Sequence, residues 1–302
     1  MAKIPTQLSK EITDKYSVEN NAFKLSKIVN PELDVYKGEP KDEINVVTGD
    51  DKQPDIFYPQ IKLQRWTNEV NFSIRLKDTE YEKAKITTDQ DKIVWDKDNI
   101  KIEFYDYAES EGGHKMVWYL KEKPLTNKVE FTIQSKGLDF FYQPELTAEE
   151  IAQGAVRPEN VVGSYAVYHS TKGGMNDAYG KDYKTGNAFH IYRPHLIDAN
   201  GLEAWGNLHI ENGIYSVEIP QDFYNNAVYP IKSNDTFGYT GAGASGIYLF
   251  ADTLMGMYGT PGSNGVLNSV SVSGYLEAGG TSAAWQGAIY GPTTKPLISP
   301  QT

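Results

Sequence analysis

The side chains that come closest to a ligand set lie in a glycine-rich loop between residues 172 and 187. Asn176, Asp177 and Asp182 offer the amide and carboxylate oxygens that calcium prefers. Their order does not match the D-x-[DN]-x-[DN]-G pattern of an EF-hand. Two interpretations stay open, a calcium site on these three residues or a plain flexible loop, and we predict no other metal and no other cofactor.

The five histidines lack the spacing of a metal or catalytic centre. His190 and His195 are separated by an Arg-Pro bond, so they do not share a helix face, and no H-E-x-x-H pattern occurs. The chain has no phosphate loop, no dinucleotide-binding glycine motif and no G-x-S-x-G nucleophile elbow. It also has no cysteine, which excludes thiolate ligands and cysteine nucleophiles. We therefore predict no catalytic residues and a protein that is not an enzyme.

Paired carboxylates are the one hydrolytic arrangement that the composition allows. A glycosidase needs two carboxyl groups facing each other across a cleft, which spacing along a chain cannot establish. Glu103, Glu130 and Glu218 lie in alternating segments, where a solvent-facing position is the simpler explanation. A glycan-active enzyme is therefore kept as a third reading of function.

Aromatic side chains could instead form a platform for sugar rings. Tyr165, Tyr168 and Trp205 are the candidates, although packing in a core is the more common role of such residues. They support an alternative function, an extracellular carbohydrate-binding or adhesive module that depends on calcium or acts without it.

Charge and hydropathy exclude two classes of partner. The formal net charge is −11, whereas nucleic acid and anionic lipid attract basic surfaces. No apolar run approaches the roughly 20 residues of a transmembrane helix, and the first residues lack the apolar core of a signal peptide. We expect no nucleic acid partner and no membrane insertion.

Alternation of apolar and polar residues predicts β-strands along most of the chain. LHIE at 208–211 and IYSVEI at 214–219 flank Asn212-Gly213, a dipeptide that favours two-residue hairpin turns. Asn200-Gly201 predicts another hairpin directly before it. Further strands are predicted at 44–47, 61–66, 70–76, 93–95, 100–107, 116–120, 129–134 and 161–168. The expected fold class is all-β, an antiparallel and jelly-roll-like β-sandwich.

One short helix is predicted, inside a connection between strands. Thr147 and Glu150 have the spacing of a capping box, in which each side chain bonds the backbone N–H of the other residue. Gly154 is placed to end the helix.

Composition predicts three segments. Residues 1–43 are polar with mixed charge and are expected to form an extended arm, followed by the β-sandwich domain at 44–236. From residue 241 onward only Asp252, Glu277 and Lys295 are charged, and glycine and serine are frequent. Residues 237–302 are therefore predicted to be a separate β segment, a partial jelly roll or a module that mediates assembly.

Two parts of the sequence resemble an uncharacterised β-sandwich module. They are GLDFFYQPEL at 137–146, leading into RPENVVGSYAVYH at 157–169, and AFHIYRP at 188–194, continuing to IPQDF at 219–223. The module occurs in tailed-phage virion structural proteins and in large surface proteins of uncultured bacteria, and the resemblance covers about residues 44–235. It implies a virion or cell-surface location and a structural role, and it carries no assigned catalytic residues.

The function expected from these observations is a non-enzymatic structural or assembly protein. The resemblance implies a phage capsid-associated, decoration or tail component that acts through protein–protein contacts. Its expected partners are other copies of itself or other virion proteins, with glycans as partners under the alternative function.

Overall fold

The computed structural model describes residues 8–28, 43–78, 80–106, 113–152, 157–172, 187–233 and 235–238. The calcium candidates Asn176, Asp177 and Asp182 lie outside these residues, as does nearly all of the predicted segment 237–302. The chain divides into two compact units, Met1–Gly246 and Ile247–Thr302, and every described residue belongs to the first unit.

The first sheet of the described residues has eight antiparallel strands. In spatial order they are β1 (Ser17–Glu19), β2 (Ala22–Ile28), β3 (Glu43–Thr48), β4 (Gln60–Arg65), β5 (Val70–Leu76), β10 (Lys128–Lys136), β17 (Ile214–Glu218) and β16 (Asn207–Glu211).

The second sheet of the described residues has eleven strands, again antiparallel. Its main order is β11 (Leu138–Tyr142), β12 (Tyr165–His169), β13 (Asn187–Ile191), β19 (Asp235–Gly238), β9 (Gly113–Leu120), β18 (Ile231–Ser233), β14 (His195–Ile197) and β15 (Glu203–Trp205). A branch leaves β9 through β8 (Ile100–Asp106), β7 (Lys92–Lys97) and β6 (Lys85–Asp89).

The two sheets bury their apolar faces against each other. Strand β5 alternates buried and half-buried residues through seven positions, which is the period-2 pattern of its sequence. Phe72 of β5 packs edge-on against Phe189 of the second sheet, with ring centroids 5.2 Å apart, and lies 6.4 Å from Phe237. The prediction of an antiparallel all-β sandwich is confirmed, and the finer jelly-roll connectivity stays a prediction.

The Asn212-Gly213 turn has the predicted geometry. Both residues have positive φ, 51° and 75°, and the turn joins β16 to β17 with Glu211 paired to Ile214. The preceding hairpin, between β14 and β15, differs from the prediction because its loop is longer than two residues. The Asp198 carboxylate organises that loop by accepting the backbone N–H groups of Asn200, Leu202 and Val228.

Gly206 separates two hairpins that belong to different sheets. Strand β15 ends the second sheet and β16 ends the first, so the chain crosses between the layers within one residue. A Cβ at Gly206 would lie 2.8 Å from Val217 Cγ1, closer than side chains tolerate. Glycine is thus required for the crossing, and the edges of both sheets meet at this corner.

Three short α-helices occur in the described residues, where one was predicted. The predicted one, α2 (Ala148–Ala152), has its capping box: Glu150 N donates to Thr147 Oγ1 at 3.2 Å, and Thr147 N donates to Glu150 Oε2 at 2.7 Å. The other two, α1 (Lys10–Lys15) and α3 (Gln221–Asn226), are six residues each, too short for a helical period to show in a sequence.

The N-terminal segment differs from the expected extended arm. Residues 8–28 form α1, β1 and β2, and β2 pairs with β3 along its whole length. Ile12, Tyr16 and Phe23 are buried in the common core. Its few apolar residues are spread among charged ones, which hid the pattern in the sequence, and Ile12, Ala22 and Phe23 are nevertheless fully buried.

Candidate functional site

Among the residues that the structure describes, strand β11 forms a free edge of the second sheet. Its ladder to β12 uses the backbone groups of odd-numbered residues: Ser170 N donates to Gly137 O at 3.0 Å at one end, and Gln143 N donates to Ser164 O at 2.9 Å at the other. In an antiparallel pair the residues between these positions turn their N–H and C=O groups the other way. Leu138, Phe140 and Tyr142 therefore present their backbone groups to the open side.

The side chains of β11 are mostly aromatic and partly exposed. Phe141 and Tyr142 have 51% and 50% of their surface exposed, and Asp139 is the one charged residue of the strand. Phe140 reaches inward and packs edge-on against Phe72 at 6.3 Å. The strand is thus anchored through one face and leaves large apolar surface at its margin.

The neighbouring edge, β16 of the first sheet, is built differently. Asn207, His209 and Glu211 are exposed along it. The backbone N–H of Ile210 is already bonded, because it donates to the Tyr165 hydroxyl of β12 at 3.1 Å. This bond ties the edges of the two sheets together and removes one free donor from β16.

A groove of about 350 Å³ lies between the C-terminal end of β11 and β16. Its lining combines polar side chains with an aromatic ring and backbone: Tyr142, Pro144, Glu145, Val162, Gly163, Arg193, Asn207, Leu208, His209 and Glu218.

Arg193 is held in position within the groove. Its Nε donates to Gly206 O at 3.3 Å, and its guanidinium carbon lies 5.5 Å from the centre of the Trp205 ring. Trp205 is itself fixed, because its indole N–H donates to Glu159 Oε1 at 2.8 Å. A Cβ at Gly163 would lie 3.2 Å from Arg193 Cδ, so the glycine, at φ 76°, leaves room for the arginine stem.

The polar groups of this groove are uncommitted. The two terminal nitrogens of Arg193 and the side chains of Glu145, Asn207 and Glu218 bond no described residue. A second groove on the outer face of the first sheet is the opposite case, since its Arg75 pairs with the Asp50 carboxylate and donates from Nε to Gln60 Oε1 at 2.9 Å. The first groove therefore keeps donors and acceptors for something else.

Of the glutamates considered from the sequence, Glu218 alone lines the groove. Glu103 is enclosed by Lys92 and Lys101 at 3.2 and 2.8 Å, and Glu130 pairs with Lys77 at 2.8 Å. Glu103 is buried by its two lysines, in contrast to the solvent-facing position expected for it, whereas Glu130 is partly exposed.

The structure places the five histidines in different surroundings. His209 lines the groove, and His195 packs on Trp205 with ring centroids 4.7 Å apart. His169 Nε2 lies 3.2 Å from Glu69 Oε1, and His114 is buried. Within the described ranges no three His, Asp or Glu side chains are grouped so that they could hold a metal ion.

Ser164 and His190 form a pair that superficially resembles a nucleophile and its base. The Ser164 hydroxyl lies 2.8 Å from His190 Nε2 but donates to Val161 O at 2.5 Å, so it accepts its hydrogen bond from the histidine. Burial lowers the pKa of His190 to about 4. Because Ser164 is fully buried, no substrate reaches the pair, and its role is to join β12 to β13.

The aromatic candidates from the sequence are only partly at this site. Tyr165 is buried and caps the edge of β16, and Trp205 supports Arg193. The two residues that define the site, Tyr142 and Arg193, were not selected. Alternation in the GLDFFYQPEL segment places Phe140 and Tyr142 on one face of the strand and Phe141 on the other, so it indicates an exposed Phe141 and gives no signal for the exposed Tyr142.

Comparisons with known proteins add no relative. No protein-family model, no curated protein and no solved structure matches this chain. In the part of the chain that the structure describes, no helix is both long and apolar enough to cross a membrane. The resemblance to phage and surface modules stays a prediction, and the function has to be argued from the edge and the groove.

Proposed function

We propose that this chain is a non-enzymatic structural protein that acts through protein–protein contacts, and that it attaches through the free edge of β11. One observation carries the proposal: β11 combines two half-exposed aromatic rings with backbone groups that pair with no described residue. Such an edge is a template for strand addition, and proteins that must avoid this pairing usually place charge on it or shorten it.

The occupant that fits this edge is β11 of a second copy. In a two-fold antiparallel pair centred on Phe140, Leu138 lies opposite Tyr142 of the second copy, and all three residues offer the backbone groups that the pairing uses. Asp139 lies opposite Phe141 of the second copy rather than opposite another Asp139. The register therefore avoids like charges and covers the exposed ring of Phe141.

Sedimentation equilibrium of the full chain tests the proposal. We expect concentration-dependent dimerisation, and we expect Phe141→Lys to shift the protein to monomer, because an edge lysine must leave water to be covered by a strand. Leu125→Lys is the matched control, because Leu125 is fully exposed in a loop. This substitution removes a comparable apolar surface and adds the same charge.

Two results would overturn this function. One is a wild-type protein that stays monomeric at high concentration and attaches to no particle, and the other is equal association of the two lysine variants. The virion location is a further step that rests on the resemblance. It predicts that the chain occurs in many copies on a regular particle in its native source.

A further inference from the structure

We propose that the groove between β11 and β16 binds an uncharged carbohydrate chain. The proposal concerns the side chains of Tyr142 and Arg193, and it does not depend on strand pairing at the backbone of β11. It rests on three properties of the groove: a fixed and unspent guanidinium, an exposed ring beside it, and an excess of negative charge around both.

The guanidinium supplies directed donors. An arginine side chain carries five N–H donors in a rigid plane, and Arg193 spends one of them on Gly206 O. The Trp205 ring and the bond to Gly206 O fix the guanidinium, so little side-chain freedom is lost when a ligand binds. The remaining donors have no partner among the described residues, which is the state expected of a preorganised binding group.

Acceptors and an apolar platform surround these donors. Glu145 and Glu218 offer carboxylate oxygens, and Asn207 offers both a donor and an acceptor. Neighbouring hydroxyls of a sugar donate and accept at once, and such a mixed lining satisfies both demands. Tyr142, half exposed, adds a ring on which the C–H face of a sugar can stack.

The charge around the groove selects against anions. Three carboxylates, those of Glu145, Glu159 and Glu218, outnumber two guanidinium groups, those of Arg193 and of Arg157, which donates to Pro144 O. A phosphate, sulfate or uronate would meet the repulsion of these carboxylates at short range. The volume, about 350 Å³, is at the lower end of the range of roughly 300–1,000 Å³ for small-molecule sites. The ligand class that remains is a neutral, hydroxyl-rich segment.

The experiment compares an exposed residue that lines the groove with an exposed residue that lies outside it. The full chain is screened on an array of neutral, sialylated and uronate-containing oligosaccharides, and the strongest neutral hit is then titrated in solution by calorimetry. We expect Tyr142→Ala to weaken binding by at least about tenfold, roughly 1.4 kcal/mol. Leu125→Ala is the control: Leu125 is fully exposed in a loop and lies neither in the groove nor on β11, so this variant should bind with unchanged affinity.

Arg193→Lys provides an independent arm. It keeps the positive charge but loses the planar fork, so binding should fall while thermal unfolding shows that the fold is retained. The proposal is overturned if no neutral oligosaccharide binds, if acidic ones bind better, or if the Tyr142 and Leu125 variants bind equally. None of these results bears on dimerisation through the backbone of β11, which sedimentation measures separately.

Discussion

The C-terminal end of β11 and the edge strand β16 border the same groove. Both strands have backbone groups that a strand of another chain could pair with, and only β16 is protected against such pairing. β16 exposes Asn207, His209 and Glu211, and a hydroxyl from the other sheet occupies one of its backbone donors. β11 exposes two aromatic rings and leaves its outward backbone groups unbonded by the described residues. The difference shows that the chain can protect an edge and does not protect this one.

The other edges of the described residues follow β16 rather than β11. β1 and β15 have three residues each and carry Glu19 and Glu203, and β6 has Lys85 and Asp89 at its ends. Short length and charge both discourage pairing with a second chain. Among the described edge strands, β11 therefore differs in exposing large aromatic side chains beside its free backbone groups. Such an edge is most simply explained by a partner strand that covers it.

The largest expected effect comes from removing the core contact between Phe72 and Phe140 of β11. Phe72→Ala removes the ring on which Phe140 packs and should lower the free energy of unfolding by about 3–5 kcal/mol. The ring contacts of Phe72 are with Phe140, Phe189 and Phe237, and β16 contributes none of these residues. Hydrogen exchange of the backbone amides should therefore accelerate more in β11 than in β16. Urea unfolding and exchange of the same variant measure the two effects, and equal acceleration at both edges would contradict separate support.

The next effect depends on pH and lies in the sheet that carries β11. Burial raises the pKa of Asp235 to about 7, although Trp118 Nε1 and Ser233 Oγ donate to its carboxylate. The folded state keeps this proton over a range in which the unfolded chain has lost it. Asp235 thus makes the folded state less stable as the pH rises from about 4 to about 7.

His190 opposes this trend in nearly the same range. Its pKa is lowered to about 4 by burial, so the unfolded chain gains a proton below about 6.5 while the folded state does not. His190 therefore makes the folded state more stable as the pH rises from about 4 to about 6.5. The two groups nearly cancel in the wild-type protein.

Replacing either residue should reveal the pH dependence of stability that the other residue causes. With Asp235→Asn, the free energy of unfolding should rise between about pH 5 and about pH 7, on the order of 2 kcal/mol, whereas His190→Gln should make it fall over the same interval. Urea titrations at several pH values give both slopes. Parallel curves for the wild type and both variants would show that neither group titrates as its burial implies.

A smaller effect sharpens the contrast between the two edges. Tyr165→Phe removes the hydroxyl that accepts the N–H of Ile210, and it should cost about 0.5–1.5 kcal/mol of stability. Exchange at the Ile210 amide should become faster, while the β11 amides should not change. If the Ile210 amide stays protected, the hydroxyl is not what guards β16.

The sequence predicted the strands well and their margins poorly. Alternation in β5, and the Asn212-Gly213 turn, depend on neighbours a few residues apart, so a local pattern is sufficient. Arg193 acquires its meaning from Gly163, Trp205 and Gly206, and only the folded chain brings these residues together. Whether a strand is an edge is likewise decided by pairings between distant residues, such as Gly113 with Gly238.

The absence of cysteine in this chain permits a direct test of the proposed contact. In the two-fold register, Asp139 and Phe141 of the second copy form a non-hydrogen-bonded pair. The Cα atoms of such a pair are about 4.5 Å apart, a separation that a disulfide can bridge. The double variant Asp139→Cys with Phe141→Cys is compared with His209→Cys with Glu211→Cys, the equivalent exposed pair on β16. We predict a covalent dimer of the β11 variant under mild oxidation and none of the β16 variant; equal cross-linking of the two, or none in either, would contradict assembly through β11.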